Sequence, residues 1–158
     1  MSKKQSTLKP HSEAQQKAYE REARLQYGAD NVNTSIARWN SYSKAKQDEI
    51  MAEAGQVYQD MVEAMKTERL QGPQDVTPIL DRWQANLRYF YEPTLEILRG
   101  LGEMYNADPA FRATFEKIHP DLAPYLQQKI AQYVDDLETA ALEKMLAEDE
   151  QKVRRLSL

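Results

Sequence analysis

The chain has 158 residues, which is about one domain and enough to bury a hydrophobic core. Its formal net charge is −4 and no stripe of lysine and arginine is evident, which argues against a compact nucleic-acid binder. The absence of cysteine excludes disulfides and thiol chemistry, and no apolar run suits a membrane span or a signal peptide, so a cytoplasmic protein is expected.

The first elements in chain order are a polar tail and a weakly apolar helix. Residues 1–11 are polar and are expected to be mobile. Ser12 is a suitable N-cap for a helix that reaches about Tyr27, where Gly28 is a stop signal. Because few of its residues are apolar, this helix needs a partner surface to stay folded. A short turn of helix is expected at residues 35–39.

A long amphipathic helix follows this turn. Ser43 is its expected N-cap, and the helix reaches about Leu70 before the breakers Gly72 and Pro73. Its apolar residues recur at helical spacing and therefore share one face. They are Ile50, Ala54, Val57, Tyr58, Met61, Val62 and Met65.

Two helices are predicted on either side of Pro93, which lacks a backbone donor and should break or kink the chain. Thr77 and Pro78 begin the first of them, and Thr94 begins the second, which ends at Asn106. The apolar residues of the first helix are Ile79, Leu80, Trp83, Leu87 and Phe90. Those of the second are Leu95, Leu98, Leu101 and Met104.

The last two helices begin at clear capping signals. Asp108 is a good N-cap for a short helix to Ile118, and Pro109 suits its first position, where the missing N–H costs nothing. Asp121 is the expected cap of the final helix, whose apolar side chains are expected to be buried. They are Leu122, Leu126, Ile130, Val134, Leu137, Ala141 and Met145. No alternating strand pattern, hairpin turn or repeat is present, so the predicted fold class is a single all-α domain.

Groups suited to catalysis are scarce in this sequence. Only His11, in the tail, and His119 could serve as bases near neutral pH, and the position of His119 before Pro120 at a helix junction favours a structural or solvated histidine. Adjacent acidic residues at 135, 136 and 138 indicate a solvated helix face. No nucleophile–base set, Glu-x-x-His pair or glycine-rich phosphate loop is present. We therefore expect no enzyme activity, no metal site and no cofactor.

Aromatic residues are the most informative side chains for function. Phe90, Phe111 and Phe115 are each expected in the core. Tyr89, Phe90 and Tyr91 are consecutive, and consecutive helical residues point about 100° apart, so the three cannot all face one core. At least one of them should face solvent, a cleft or a partner, and a partly open aromatic cleft would suit a flat or cyclic ligand.

Four sequence segments resemble one known family. They are REARLQYG at 21–28, SIARWNSYS at 35–43, LGEMYNADPAF at 101–111 and IHPDLAPYL at 118–126. With the Phe90-Tyr91 pair, they are similar to the TipAS-type antibiotic-recognition domain, the ligand-sensing half of some MerR-type drug-responsive regulators. The resemblance implies an all-α fold with globin-like packing of the core helices.

The resemblance also implies non-enzymatic binding of antibiotics, notably cyclic thiopeptides, in a cleft of aromatic and polar side chains. It implies that residues 12–42 form lid helices over a core of residues 43–158. The residues predicted for the cleft are Trp39, Tyr42, Trp83, Tyr91, Tyr105 and Phe111. Trp83 and Tyr91, about two helical turns apart on one face, would stack on the ligand. Tyr42 and Tyr105 would donate hydrogen bonds to it.

Three departures from the family modify this expectation. No winged helix-turn-helix and no long dimerisation helix precede residue 12, so the chain should correspond to the effector half and should not bind DNA by itself. Without cysteine, ligand capture should be non-covalent. Trp83, Ala110 and Asp121 stand where histidine, arginine and glycine are more usual in the family, so the ligand range should differ. A homodimer is left open.

Two alternatives to the sensor or drug-sequestering function are kept. The first is a helical protein-interaction domain whose aromatics bind a partner helix, without a small-molecule ligand. The second and weaker one is an enzyme. A ligand binder should be stabilised by its drug, whereas an interaction domain should change its oligomeric state or capture a protein.

Overall fold

The computed structural model describes the backbone of residues 29–157 and the side chains of residues 32–157. This part of the chain forms six α-helices and no strand, so the predicted all-α class is confirmed. The helices are α1 Ala29–Ser41, α2 Lys44–Gln71, α3 Thr77–Leu87, α4 Leu95–Ala107, α5 Pro109–Ile118 and α6 Leu122–Ser157. None of these six is long and apolar enough to cross a membrane. The tail of residues 1–11, His11 and the helix expected over residues 12–27 lie outside the described residues.

Both ends of the long helix α2 are built as the sequence predicts. The Ser43 hydroxyl accepts a hydrogen bond from the Lys46 amide at 3.1 Å, which satisfies an otherwise unpaired N–H group of the first turn. At the other end Gly72 has a φ of 95°, which residues with a side chain adopt only with strain. Its amide donates to the Glu68 carbonyl at 2.9 Å and closes the helix.

Side-chain caps also begin α4 and α5, as predicted. The Thr94 hydroxyl accepts from the Ile97 amide at 3.1 Å. The Asp108 carboxylate accepts from the Ala110 amide at 2.9 Å, and Pro109 takes the first helical position. These local signals fix the turn between α4 and α5 without help from distant residues.

The first half of the chain differs from the predicted boundaries at two helices. α1 begins at Ala29 and ends at Ser41, so it is longer than the expected turn at residues 35–39. α3 ends at Leu87, well before Pro93. Here the amide of Phe90 donates to the Leu87 carbonyl at 2.9 Å, a bond to the third preceding residue that tightens the last turn. The chain therefore leaves the helix before the proline is reached.

The core lies where α6 crosses α4, with α2, α3 and α5 packed around this pair. The fully buried large side chains of the core come from all five helices. They include Val57, Met61, Leu80, Leu98, Leu101, Phe115, Leu122, Leu126, Ile130 and Val134. The globin-like arrangement implied by the resemblance stays a prediction.

The end of α6 extends beyond this core. Leu137 is half-buried, but Ala141 and Met145, which were expected to be buried, are exposed, and that prediction is wrong. Every described residue from 138 to 157 is exposed. The helical spacing of apolar residues continues past residue 137, but no other described helix packs beside them.

The junction between α5 and α6 gives His119 the structural role that its position indicates. Its backbone amide donates to the Phe115 carbonyl at 3.0 Å, and its Nδ1 accepts from the Asp121 amide at 3.0 Å. The Asp121 carboxylate lies 2.8 Å from the Arg69 guanidinium. This ion pair connects the start of α6 to the end of α2.

A partly buried ion pair joins α2 and α6 further inside. The Lys129 side chain is only 10% exposed, and its ammonium lies 3.1 Å from the half-buried Glu68 carboxylate, which also accepts from the Tyr125 hydroxyl at 3.3 Å. The hydrogen bond from Lys129 lowers the pKa of Glu68 below its ordinary value of 4.5. Burial, and then the negative charge of Glu68, raises the pKa of Tyr125 to about 12.

This pair predicts a loss of stability in acid. Because the pKa of Glu68 is lowered by folding, its contribution is fully present above pH 4.5 and is lost as the pH falls below that value. Glu68→Gln should lower the free energy of unfolding at pH 7 by about 1–2 kcal/mol and flatten its decline between about pH 5 and pH 3. Urea unfolding over this pH range measures both effects.

Glu63→Gln is the matched control for this measurement, since Glu63 lies on the same helix in an exposed pair with Lys66 at 3.7 Å. An exposed pair of this kind contributes little. Equal effects of the two substitutions would contradict the assigned importance of the partly buried pair.

Candidate ligand-binding site

An outer aromatic cluster forms where α1 meets the turn that follows α3. It consists of Trp39, Tyr42, Tyr89 and Phe90, all of them half-buried. The Trp39 and Phe90 rings stack with centroids 5.4 Å apart at an interplanar angle of 20°. Tyr42 meets Tyr89 edge to face, with centroids 5.9 Å apart. These are the favourable geometries for aromatic pairs, so the cluster is an ordered surface with rings that remain accessible.

Polar contacts hold the outer aromatic cluster in place. The Tyr42 hydroxyl donates to the Tyr89 carbonyl at 2.6 Å, and the Gln47 side-chain amide donates to the Trp39 carbonyl at 2.8 Å. The Lys46 ammonium lies 4.9 Å from the centroid of the Tyr89 ring, within the range of a cation–π contact. α1, α2 and the turn after α3 are thus connected through this cluster.

An open cleft of about 480 Å³ lies between α2 and the Tyr89 ring. Its other lining residues are Glu49, Ile50, Ala52 and Glu53 from one side of α2. Ile50 supplies an apolar floor, and the two glutamates supply hydrogen-bond acceptors at the rim. An aromatic wall, an apolar floor and a few polar groups are the usual components of a small-molecule site.

An inner aromatic cluster lies in the core of the domain. It consists of Tyr58, Trp83, Tyr105, Phe111 and Phe115, and all except the half-buried Tyr58 are buried. Phe115 packs against Tyr58 and Tyr105, with centroids 4.9 Å and 5.0 Å away. The Trp83 indole donates to the Tyr105 hydroxyl at 3.4 Å, so the polar tip of the indole has an internal acceptor.

The structure divides the six residues predicted for the cleft between these clusters. Trp39 and Tyr42 lie together in the outer cluster. Trp83, Tyr105 and Phe111 lie together in the inner cluster and are 3%, 5% and 3% exposed.

The sixth residue, Tyr91, lies half-buried after the turn that follows α3. Because α3 ends at Leu87, Trp83 and Tyr91 do not share one helix face. The premise that they stack on a ligand from two turns of the same helix is therefore wrong. Their participation in binding stays a prediction.

Sequence reasoning did not select the residues that line the cleft. Tyr89 was noted only as one of three consecutive aromatics, and Glu49 and Glu53 were not singled out. A signal was present, since the two glutamates are four residues apart and so lie on one side of α2, beside Ile50. The neighbouring turn that completes the cleft is a tertiary feature, which spacing alone does not indicate.

Comparison with known proteins identifies the family. Residues 19–133 match the TipAS antibiotic-recognition domain, a range that contains both aromatic clusters and the cleft. The chain is 31% identical over 129 residues to the HTH-type transcriptional activator mta of Bacillus subtilis (strain 168). The aligned part is 80% of this chain and 49% of that protein, so the chain spans about half the length of this curated relative. No solved structure matches the chain. Since the family match extends over more than half of its residues, the chain belongs to the TipAS antibiotic-recognition domain family.

Proposed function

We propose that this chain is the effector-sensing domain of a transcription regulator and that it binds an antibiotic-like small molecule. Membership of the TipAS antibiotic-recognition family is the observation that supports this most directly. The similarity to a transcriptional activator supports the regulatory role, with DNA binding assigned to another part of such a protein. Drug sequestration without a DNA-binding partner would use the same binding site.

The ligand is proposed to bind at the cleft beside the outer aromatic cluster. Tyr89 lines the cleft and offers a ring on which a flat or cyclic molecule can stack. The half-buried Trp39 and Tyr42 belong to the same outer aromatic cluster. Glu49 and Glu53 offer acceptors for hydroxyl or amide donors of the ligand. With no cysteine in the chain, binding is non-covalent and reversible.

The inner aromatic cluster would take part only through a rearrangement. Trp83, Tyr105 and Phe111 are buried, so a ligand would reach them only if the surrounding helices parted. The proposed lid of residues 12–42 includes α1, which contributes Trp39 to the outer cluster. Movement of α1 would therefore change the outer aromatic cluster, in which Trp39 stacks on Phe90.

A thermal-shift screen of the purified chain against thiopeptides and other natural-product antibiotics tests the proposed function. A ligand that binds only the folded state raises the melting temperature in a concentration-dependent way. We expect one chemical class to do so. No shift for any class, together with specific capture of a protein partner, would replace the proposal by the helical interaction domain.

The location of the site is tested with the two tryptophans of the chain, one of which lies in each cluster. Trp83→Phe leaves Trp39 as the reporter beside the cleft, and its fluorescence should change when the ligand from the screen is added. Tyr89→Ala should weaken that ligand by about tenfold or more, as expected for an aromatic anchor worth about 1–4 kcal/mol.

Leu70→Ala is the control for Tyr89→Ala, because Leu70 is 84% exposed at the far end of α2. It should leave the affinity unchanged. Full affinity in the Tyr89→Ala variant, with an unaltered Trp39 signal, would move the site away from the outer cluster.

A further inference from the structure

The second half of α6 carries most of the large apolar side chains that are exposed in the described part of the chain. We define residues 138–157 as the α6 extension; all of them are exposed. Of the six large apolar side chains exposed in the described part of the chain, five lie in this extension. They are Leu142, Met145, Leu146, Val153 and Leu156, which are 56%, 59%, 57%, 62% and 87% exposed. Apolar side chains concentrated on a helix that no described helix covers indicate a partner.

The five side chains form a single stripe. At about 100° of rotation per residue they fall within an arc of about 100°. Leu142, Leu146, Val153 and Leu156, with Asp149 included and Met145 left out, follow the alternating steps of four and three residues that are typical of a coiled-coil seam. The buried face of α6, represented by Ile130, points roughly 110° away from this stripe. The stripe is therefore a separate surface and does not continue the core of the domain.

The charges of the extension are divided between an acidic part and a basic end. Residues 138–150 contain Glu138, Glu143, Glu148, Asp149 and Glu150 against a single lysine, which gives a net charge of −4. Residues 151–157 contain one lysine and two arginines and no acid, which gives +3. When two such helices run antiparallel, the acidic part of one helix can lie beside the basic end of the other. We infer that the α6 extension pairs antiparallel with the extension of a second copy of this chain.

The charge inside the stripe supports the same orientation. In a parallel pair in register, Asp149 would face the partner's Asp149, and the acidic segments would lie side by side. In an antiparallel pair that places Asp149 opposite the partner's Val153, residues 148–150 lie beside the partner's residues 152–154, so Asp149 comes near cations instead of another carboxylate. Leu142 lies outside the overlap in this register. A single polar residue in an apolar seam is a known determinant of orientation and register.

The extension is prepared for pairing by its attachment to the domain. An isolated helix must form its first turn at a cost in free energy before it can grow. Here the first half of α6 is fixed in the core by side chains such as Leu126 and Val134, so the helix is already nucleated. Pairing therefore costs little further conformational entropy of the backbone. The extension also lies beyond residue 133, where the family match ends.

Sedimentation equilibrium of the full chain, from micromolar to millimolar concentration, tests for the dimer. We expect a monomer–dimer equilibrium that weakens at high salt, where charge pairing is screened. The double variant L146E/V153E should weaken dimerisation by about tenfold or more. The melting temperature of the monomer, measured at low concentration, should be unchanged because both residues are exposed. The control Leu70→Glu removes the sixth exposed apolar side chain and should leave dimerisation unchanged. A monomer at all concentrations, or a dimer insensitive to L146E/V153E, would overturn the inference.

Orientation is tested by spin labels on single cysteines, because the chain contains none of its own. Thr139→Cys and Ser157→Cys place labels at the two ends of the extension, outside the stripe. In an antiparallel dimer at least one of the two interlabel distances exceeds about 27 Å, from the rise of 1.5 Å per residue. In a parallel pair in register, each label faces the same label of the second copy, and the two helix axes are only about 10 Å apart. Two short and equal distances would therefore overturn the antiparallel arrangement.

Discussion

Gly102→Val is expected to lower the free energy of unfolding by about 3 kcal/mol, because α4 and α6 touch at this glycine. A Cβ placed on Gly102 would lie 2.9 Å from Cγ2 and 3.1 Å from Cβ of Ile130. Ile130 is fully buried, and its Cβ is fixed to the α6 backbone. The clash can be relieved only if the two helices that form the centre of the core move apart. Urea unfolding at neutral pH measures the loss.

Alanine at the same position separates this clash from backbone effects. Replacing glycine by alanine within a helix normally stabilises it by about 0.5–1 kcal/mol. Gly55→Ala on α2 should show that gain, because nothing lies within 4 Å of a Cβ placed there. Gly102→Ala should instead destabilise the protein, by about 1–2 kcal/mol. If both substitutions stabilised it equally, the close approach of α4 and α6 would be refuted.

Features that depend on contacts between residues close in sequence could be predicted here, and features that depend on distant residues could not. Ser43, Thr94 and Asp108 cap helices through amides two or three residues away, so their roles are visible in the sequence. The end of α3 is set by a tightened turn whose Tyr89 also contacts Tyr42, 47 residues earlier. Such a boundary depends on tertiary packing, and the spacing of apolar residues in the sequence predicts a helix end later than the observed one.

The candidate site likewise has features that the sequence indicates and features that only tertiary packing determines. Aromatic residues could be selected as candidates, but their burial could not be read from the sequence. Trp39 and Trp83 both lie on amphipathic helices, and only the packing of other helices distinguishes them. The apolar spacing of α6 likewise predicted a buried Met145, whereas no other described helix extends to that position. Periodicity identifies an apolar face; it does not identify what covers that face.

Trp83→Ala is expected to have the largest effect of any substitution considered, a loss of about 3–5 kcal/mol of unfolding free energy. Trp83 is 3% exposed, packs against the Tyr105 ring with centroids 6.4 Å apart and donates to its hydroxyl. Truncation removes these contacts and leaves a cavity between α3 and α4. Chemical unfolding followed by circular dichroism measures the loss independently of tryptophan fluorescence.

Trp39→Ala is the matched comparison, with the same side chain removed from the outer aromatic cluster. Trp39 is half-buried and stacks on Phe90, so its truncation should cost only about 1 kcal/mol of stability. The effects on ligand affinity should be reversed, with Trp39→Ala weakening the ligand while Trp83→Phe, which keeps the core filled, leaves it unchanged. If Trp83→Phe alone weakened binding, a ligand would have to enter the inner cluster, and the helices around Trp83 would have to open to admit it. Stability and affinity measured on the same variants therefore decide whether the core or the outer cleft of this domain is its sensor.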